Sequence, residues 1–195
     1  MIWNWPNLLT WLRILAIPLV LVLFIEGKHL PGGAWDPAAG LLFAAAAITD
    51  SLDGYLARRL GQTTPLGTFL DPVADKLIVA VALILIVSRD PRTLMILAAV
   101  VIIGREIAVS ALREWMAEIG QRTKVAVSAL GKYKTILQMV GLTLLLYRHD
   151  LLGLPIYLMG TWLTIVAAVL TLFSMLVYLR AAVPYLTPKA VPPPD

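Results

Sequence analysis

The stretch "LLFAAAAITDSLDGYLARRLG", residues 41–61, joins two kinds of sequence that seldom meet. The apolar run 41–48 leads without a break into Asp50 and Asp53, one helical turn apart, and on to Arg58 and Arg59. The spacing predicts a helix over 37–58. At about 100° per residue, Asp50, Asp53, Gly54 and Ala57 fall within an arc of about 100°, with Arg58 just beyond it. One face of this helix therefore carries two carboxylates, two small residues and a guanidinium, at the end of a segment suited to lipid.

The rest of the chain explains that setting. Of its 195 residues 59% are hydrophobic and 14% charged, with a mean hydropathy of +0.84. A water-soluble domain is nearer half apolar and a quarter charged, so the chain reads as an integral membrane protein. Cysteine is absent, which excludes a disulfide framework and thiol chemistry. The net charge of +4 is too small and scattered for nucleic-acid binding and is better read through topology. The early apolar run "LLTWLRILAIPLVLVLFI" lacks a basic lead-in and a small-residue cleavage site, so it reads as a retained span with Trp3 and Trp5 at the interface.

A spanning helix needs about 20 mostly apolar residues. Six segments qualify, at 8–25, 37–58, 70–88, 92–112, 125–147 and 155–183, separated by short connections rich in glycine, proline and charge. The expectation is an all-α bundle of six transmembrane helices forming one domain, 1–186, with a disordered proline-rich tail, 187–195. With both termini cytoplasmic, the inner flanks hold Arg13, Arg58, Arg59, Arg113, Arg122, Lys124, Arg180 and Lys189. The outer loops hold Lys28, Arg89, Arg92 and Arg148, and this asymmetry favours that orientation. His29 and His149 also fall in outer loops, without partners at ligand spacing, while Glu114 and Glu118 read as an exposed face.

Ionisable residues inside spans mark functional sites by default. Asp50, Asp53, Asp71 and Asp75 lie within 26 residues. Asp71 and Asp75 share a helix face, and the short turn "GQTTPLG" makes the second and third helices antiparallel neighbours. Four carboxylates brought together in a low dielectric need a counter-charge. Oxygen donors without cysteine or histidine point to Mg²⁺, Mn²⁺ or Ca²⁺. Gly54 and Ala57 leave a bare shelf of helix, and Arg58 can pair with phosphate. Metal, shelf and arginine together suggest a nucleotide diphosphate. Each feature has a plainer reading: Asp71 before Pro72, or Thr68, as a helix cap, Arg58 and Arg59 as topology signals, and Gly54 and Ala57 as packing positions.

The pattern Asp50-x2-Asp53-Gly54-x2-Ala57-Arg58-x8-Gly67-x3-Asp71-x3-Asp75 resembles, without departure, the signature of the CDP-alcohol phosphatidyltransferases. The resemblance covers nearly the whole chain, including the early "PNLLTWLR". It implies that Asp50, Asp53, Asp71 and Asp75 bind two divalent ions, Mg²⁺ or Mn²⁺, and that Asp75 is the base for the acceptor hydroxyl. It also implies that Gly54, Ala57, Arg58 and Gly67 contact the CDP moiety. Asn7, Thr10 and Arg13 recur every three residues on the first helix, where lining the nucleotide and capping or interfacial roles both fit. The resemblance implies an enzyme of the bacterial inner membrane, often a homodimer, with its active site toward the cytoplasm.

The acceptor must be read from the other charges inside spans. Arg105 and Glu106 lie in the fourth, Arg113 on roughly the same face as Arg105, and Lys132 and Lys134 in the fifth. Four cations with few acids nearby imply an anionic guest, although Glu106 pairing with one arginine and lysines reaching the interface would also account for them. The stretches "GREIAVSALREWMAEIG" and "VAVSALGKYKTILQM" resemble the branch of the family that joins CDP-diacylglycerol to sn-glycerol 3-phosphate. On that resemblance Arg105, Arg113, Lys132 and Lys134 grip the acceptor phosphate. Inositol phosphate, inositol, serine and phosphatidylglycerol are the alternative acceptors, and a divalent-cation transporter is the alternative outside enzymes.

Overall fold

The structure, a computed structural model, describes residues 5–26, 35–60, 65–121 and 129–186, with side chains over 11–26, 36–49, 69–121 and 133–185. It contains six helices: α1 (Trp5–Glu26), α2 (Trp35–Leu60), α3 (Pro65–Arg89), α4 (Thr93–Glu118), α5 (Ala129–Tyr147) and α6 (Ile156–Leu186). They coincide in order with the six apolar segments, and no strand occurs among the described residues. The tail 187–195, Trp3 and His29 lie outside the described residues.

Two of the boundaries that differ from expectation have a clear local reason. Helix α3 begins at Pro65, five residues before the apolar run, so neither Asp71 nor Thr68 caps it and Pro72 lies inside. Proline suits a first turn, where its missing N–H would have had no helical partner anyway. Helix α4 runs past residue 112 to Glu118 and stops at Gly120, whose φ of +74° favours glycine. There the amide of Gln121 donates to the Met116 carbonyl at 2.8 Å and that of Gly120 to Ala117 at 3.1 Å, the paired bonds of a Schellman end.

The bundle has an apolar core that also holds charged and polar side chains, and its outer surface is apolar. Arg13, Arg105, Lys134, Gln138, Thr164 and Thr171 are buried, whereas Leu15, Val100 and Ile107 are 63%, 63% and 65% exposed. A water-soluble bundle instead puts polar residues on its outer face. Among the described residues, Thr93–Glu118 and Ile156–Tyr185 are long and apolar enough to cross a membrane by themselves.

Packing is closest where small residues meet. Helix α5 packs on α6 and α2, α1 on α2 and α3, and α4 on α6 and α3. The connection from α2 to α3 and the side chains flanking it, where the two helices were expected to be neighbours, lie outside the described residues. Helices α1 and α5 each touch both α2 and α3 over the described residues. At the α5–α6 seam, a Cβ on Gly160 would lie 2.9 Å from both the Leu144 Cβ and the Leu145 amide nitrogen, and 3.0 Å from the Gly141 carbonyl. Gly160→Leu should therefore destabilise the fold by about 1–3 kcal/mol or more. Exposed Gly104 has open space around its Cα, and Gly104→Ala should be neutral or gain up to about 1 kcal/mol of helix stability. Thermal unfolding of both variants in detergent checks the contrast.

Charged networks tie the helix ends. Arg89 donates to Asp36 and to the Phe24 carbonyl, joining the end of α3 to the start of α2 and the end of α1. Beside it, Asp90 accepts Arg92 Nε at 2.7 Å and Nη2 at 2.5 Å, and also the Tyr157 hydroxyl. The Arg92 hydrogen bonds, helped by that from Tyr157, hold the Asp90 carboxyl at about 2, below its ordinary 3.8. A depressed carboxylate pKa contributes stability that is complete above the unfolded value and lost as pH falls through the folded one. Asp90→Asn should lower the melting temperature at pH 6, and its gap to the parent protein should close between about pH 4 and pH 2.

Candidate active site

A cavity of about 460 Å³ opens between α3, α4 and α5. Helix α3 contributes Asp71, Asp75 and Lys76, α4 contributes Glu106, Ser110 and Arg113, and α5 contributes Thr135 and Gln138. Their convergence follows from helical spacing. Asp71 and Asp75 are one turn apart and face the same way, as are Glu106, Ser110 and Arg113 at intervals of four and three.

Asp75 is gripped from behind. Arg13 of α1 donates from Nη1 to Asp75 Oδ1 at 2.7 Å. The Arg13 side chain is 1% exposed and that of Asp75 45%, so a buried cation anchors a carboxylate that remains accessible from the cavity. The sequence places Arg13 with Asn7 and Thr10, but its link to a residue 62 positions away is a tertiary feature.

The cations of α4 and α5 separate into two groups. Arg113 reaches the cavity while its Nη2 donates to the Tyr178 hydroxyl of α6 at 2.9 Å and its guanidinium stands 5.0 Å from that ring. Arg105 and Lys134 lie deeper. Arg105 donates to Glu106 Oε1 at 2.5 Å and to Ser174 at 3.1 Å. Lys134 Nζ is 3.8 Å from the same Glu106 oxygen and has no hydrogen-bond partner among the described residues. Glu106 thus stands between these two cations and the cavity. Neither Lys76 nor Glu106 was among the residues expected at the site, although both are charges inside an apolar helix.

The remaining expected residues are placed by backbone alone. Asp50, Asp53, Gly54, Ala57 and Arg58 occupy the last turns of α2, Gly67 the first turn of α3, Asn7 and Thr10 the start of α1, and Lys132 the start of α5. Their side chains lie outside the described residues. Among the described residues no three acids or histidines form a metal-binding group, and the carboxylates of Asp71 and Asp75 are the part of the motif whose geometry is seen.

The family model described as CDP-alcohol phosphatidyltransferase matches residues 3–177. The chain belongs to that family. Its similarity to particular phosphatidyltransferases is also high. Proteins named CDP-diacylglycerol–glycerol-3-phosphate 3-phosphatidyltransferase from Escherichia coli strain K12 and Shigella flexneri are each 50% identical to it over 180 residues. The alignments cover 92% of this chain and 94% of each relative. The CDP-alcohol phosphatidyltransferase signature spans α2 and α3, and its last two aspartates are the pair at the cavity.

Proposed function

We propose that this protein transfers the phosphatidyl group of CDP-diacylglycerol to sn-glycerol 3-phosphate, giving phosphatidylglycerophosphate and CMP. The observation that carries this reading is a single cavity in which two carboxylates, Asp71 and Asp75, share space with the cations Lys76 and Arg113. Such a cavity suits an acceptor with a hydroxyl to activate and a phosphate to hold. The relatives' name and the near-complete overlap with them support the choice of donor and acceptor.

Asp75 accepts the proton of the acceptor's primary hydroxyl, and Arg13 holds its carboxylate in place for that transfer. The hydroxyl oxygen forms a bond to the β-phosphorus of the CDP-lipid. The bond from that phosphorus to the bridging oxygen breaks, and CMP leaves with the electron pair. Gly54, Ala57, Arg58 and Gly67, with Asn7 and Thr10, line the CDP side. Arg113 and Lys76 engage the acceptor phosphate, while Arg105, Lys134 and Lys132 add positive potential around it.

Asp71 and Asp75 offer hard oxygen donors one turn apart, the chemistry that Mg²⁺ or Mn²⁺ requires. With Asp50 and Asp53 they would hold two such ions, which supply charge neutralisation at the pyrophosphate and the departing phosphate. On this reading the six helices cross the bacterial inner membrane with both termini cytoplasmic, as a homodimer, and the outward apolar residues support the membrane setting.

Purified protein with CDP-diacylglycerol and Mg²⁺ should release CMP when given sn-glycerol 3-phosphate, but not inositol phosphate, inositol, serine or phosphatidylglycerol. Release with a different alcohol would overturn the acceptor, and no release with any would overturn the enzyme reading.

A further inference from the structure

One carboxylate at the cavity lies outside the aspartate motif. Glu106 lines the same space as Asp75 and Arg113 and keeps 30% of its side-chain surface accessible. Its Oε1 is occupied on the protein side, by Arg105 Nη1 at 2.5 Å with Lys134 Nζ at 3.8 Å. Both cations are buried, and Ser174 fixes the far side of the Arg105 guanidinium. The carboxylate is therefore fixed through one oxygen, and Oε2 accepts no hydrogen bond from the described residues.

An ionised carboxylate only accepts hydrogen bonds, so the second oxygen selects a donor. A phosphate would be repelled by it, whereas a hydroxyl fits. The acceptor proposed above has two hydroxyls. The primary one reacts beside Asp75, which leaves the secondary one to be satisfied in a partly buried site. We infer that Glu106 is a specificity residue that accepts a hydrogen bond from the non-reacting C2 hydroxyl of the acceptor while Arg113 holds its phosphate. This inference rests on the proposed acceptor.

A site built around a substrate hydroxyl rejects an analogue without it, because the protein group is left unpaired. A hydrogen bond to a charged group corresponds to roughly a ten- to hundredfold preference. If Glu106 merely balanced Arg105 and Lys134, its loss would slow both substrates alike.

The test compares kcat/KM for sn-glycerol 3-phosphate and for 3-hydroxypropyl phosphate, which keeps the chain length, phosphate and reacting hydroxyl but lacks the C2 hydroxyl. The parent protein should favour glycerol phosphate roughly ten- to hundredfold. In Glu106→Gln the Arg105 bond holds the amide oxygen, so the amide nitrogen, a donor, takes the place of Oε2. That nitrogen can still donate to the hydroxyl oxygen, but as a neutral group, so the preference should fall roughly fivefold or more below that of the parent. A thermal shift with CMP and Mg²⁺ confirms that the variant still folds and binds nucleotide. Equal use of both acceptors by the parent protein, or an unchanged ratio in Glu106→Gln, overturns the inference. No CMP release with glycerol phosphate overturns the function beneath it, and the inference with it.

Discussion

Asp71→Asn and Asp75→Asn should each lower phosphatidyl transfer roughly a thousandfold, and the second should also lose appreciable stability. Both side chains line the cavity, and each substitution removes a negative charge where the mechanism needs one. Asp75 holds the buried Arg13 guanidinium at 2.7 Å, and Asp75→Asn removes that ion pair. Exposed ion pairs contribute up to about 1 kcal/mol, and breaking a buried one costs about 3–5 kcal/mol. With one partner buried and the other half exposed, the loss should fall between, at roughly 1–3 kcal/mol. CMP release and thermal unfolding on the same preparations check both halves. Removing divalent ions with EDTA should abolish turnover in the parent protein, and adding Mg²⁺ back should restore it. Substantial turnover by Asp71→Asn would remove the carboxylate pair from the mechanism.

Arg113→Ala should raise the KM for glycerol 3-phosphate by roughly ten- to a hundredfold while leaving CMP binding nearly unchanged. The side chain faces the cavity from α4 and is braced by the hydroxyl and ring of Tyr178 on α6. A guanidinium held this way meets phosphate in a fixed orientation, so Arg113→Lys should recover only part of the loss. Tyr178→Phe keeps the ring but removes the 2.9 Å bond, and a severalfold rise in KM is expected. Initial-rate kinetics at saturating CDP-diacylglycerol separate these effects from general damage. Equal KM values for the parent protein and Arg113→Ala would exclude this residue from the acceptor pocket.

The helices were legible in the sequence because length and hydropathy suffice to find them. All six appear in the expected order, with ends that shift where Pro65 and Gly120 act locally. The family was legible as well, since the spacing from Asp50 to Asp75 follows the motif position by position and the matched model runs over residues 3–177. The orientation of the helices was less so. In a bundle whose outer faces are as apolar as its core, hydrophobic periodicity does not mark the inward side. Arg105, Arg113 and Lys134 therefore looked equivalent. In the folded chain Arg113 reaches the cavity, while Arg105 and Lys134 meet behind Glu106.

What the sequence determined by itself was the chemistry available: hard carboxylates at fixed helical spacing, small residues beside them and cations inside apolar segments. Only the tertiary structure decided which of these groups meet. Arg13 pairs with Asp75 across 62 positions, and Arg113 is braced by Tyr178 across 65. The reason is physical. A buried charge stays only where another element supplies its partner, and which element does so is settled by how α1, α4 and α6 pack against their neighbours.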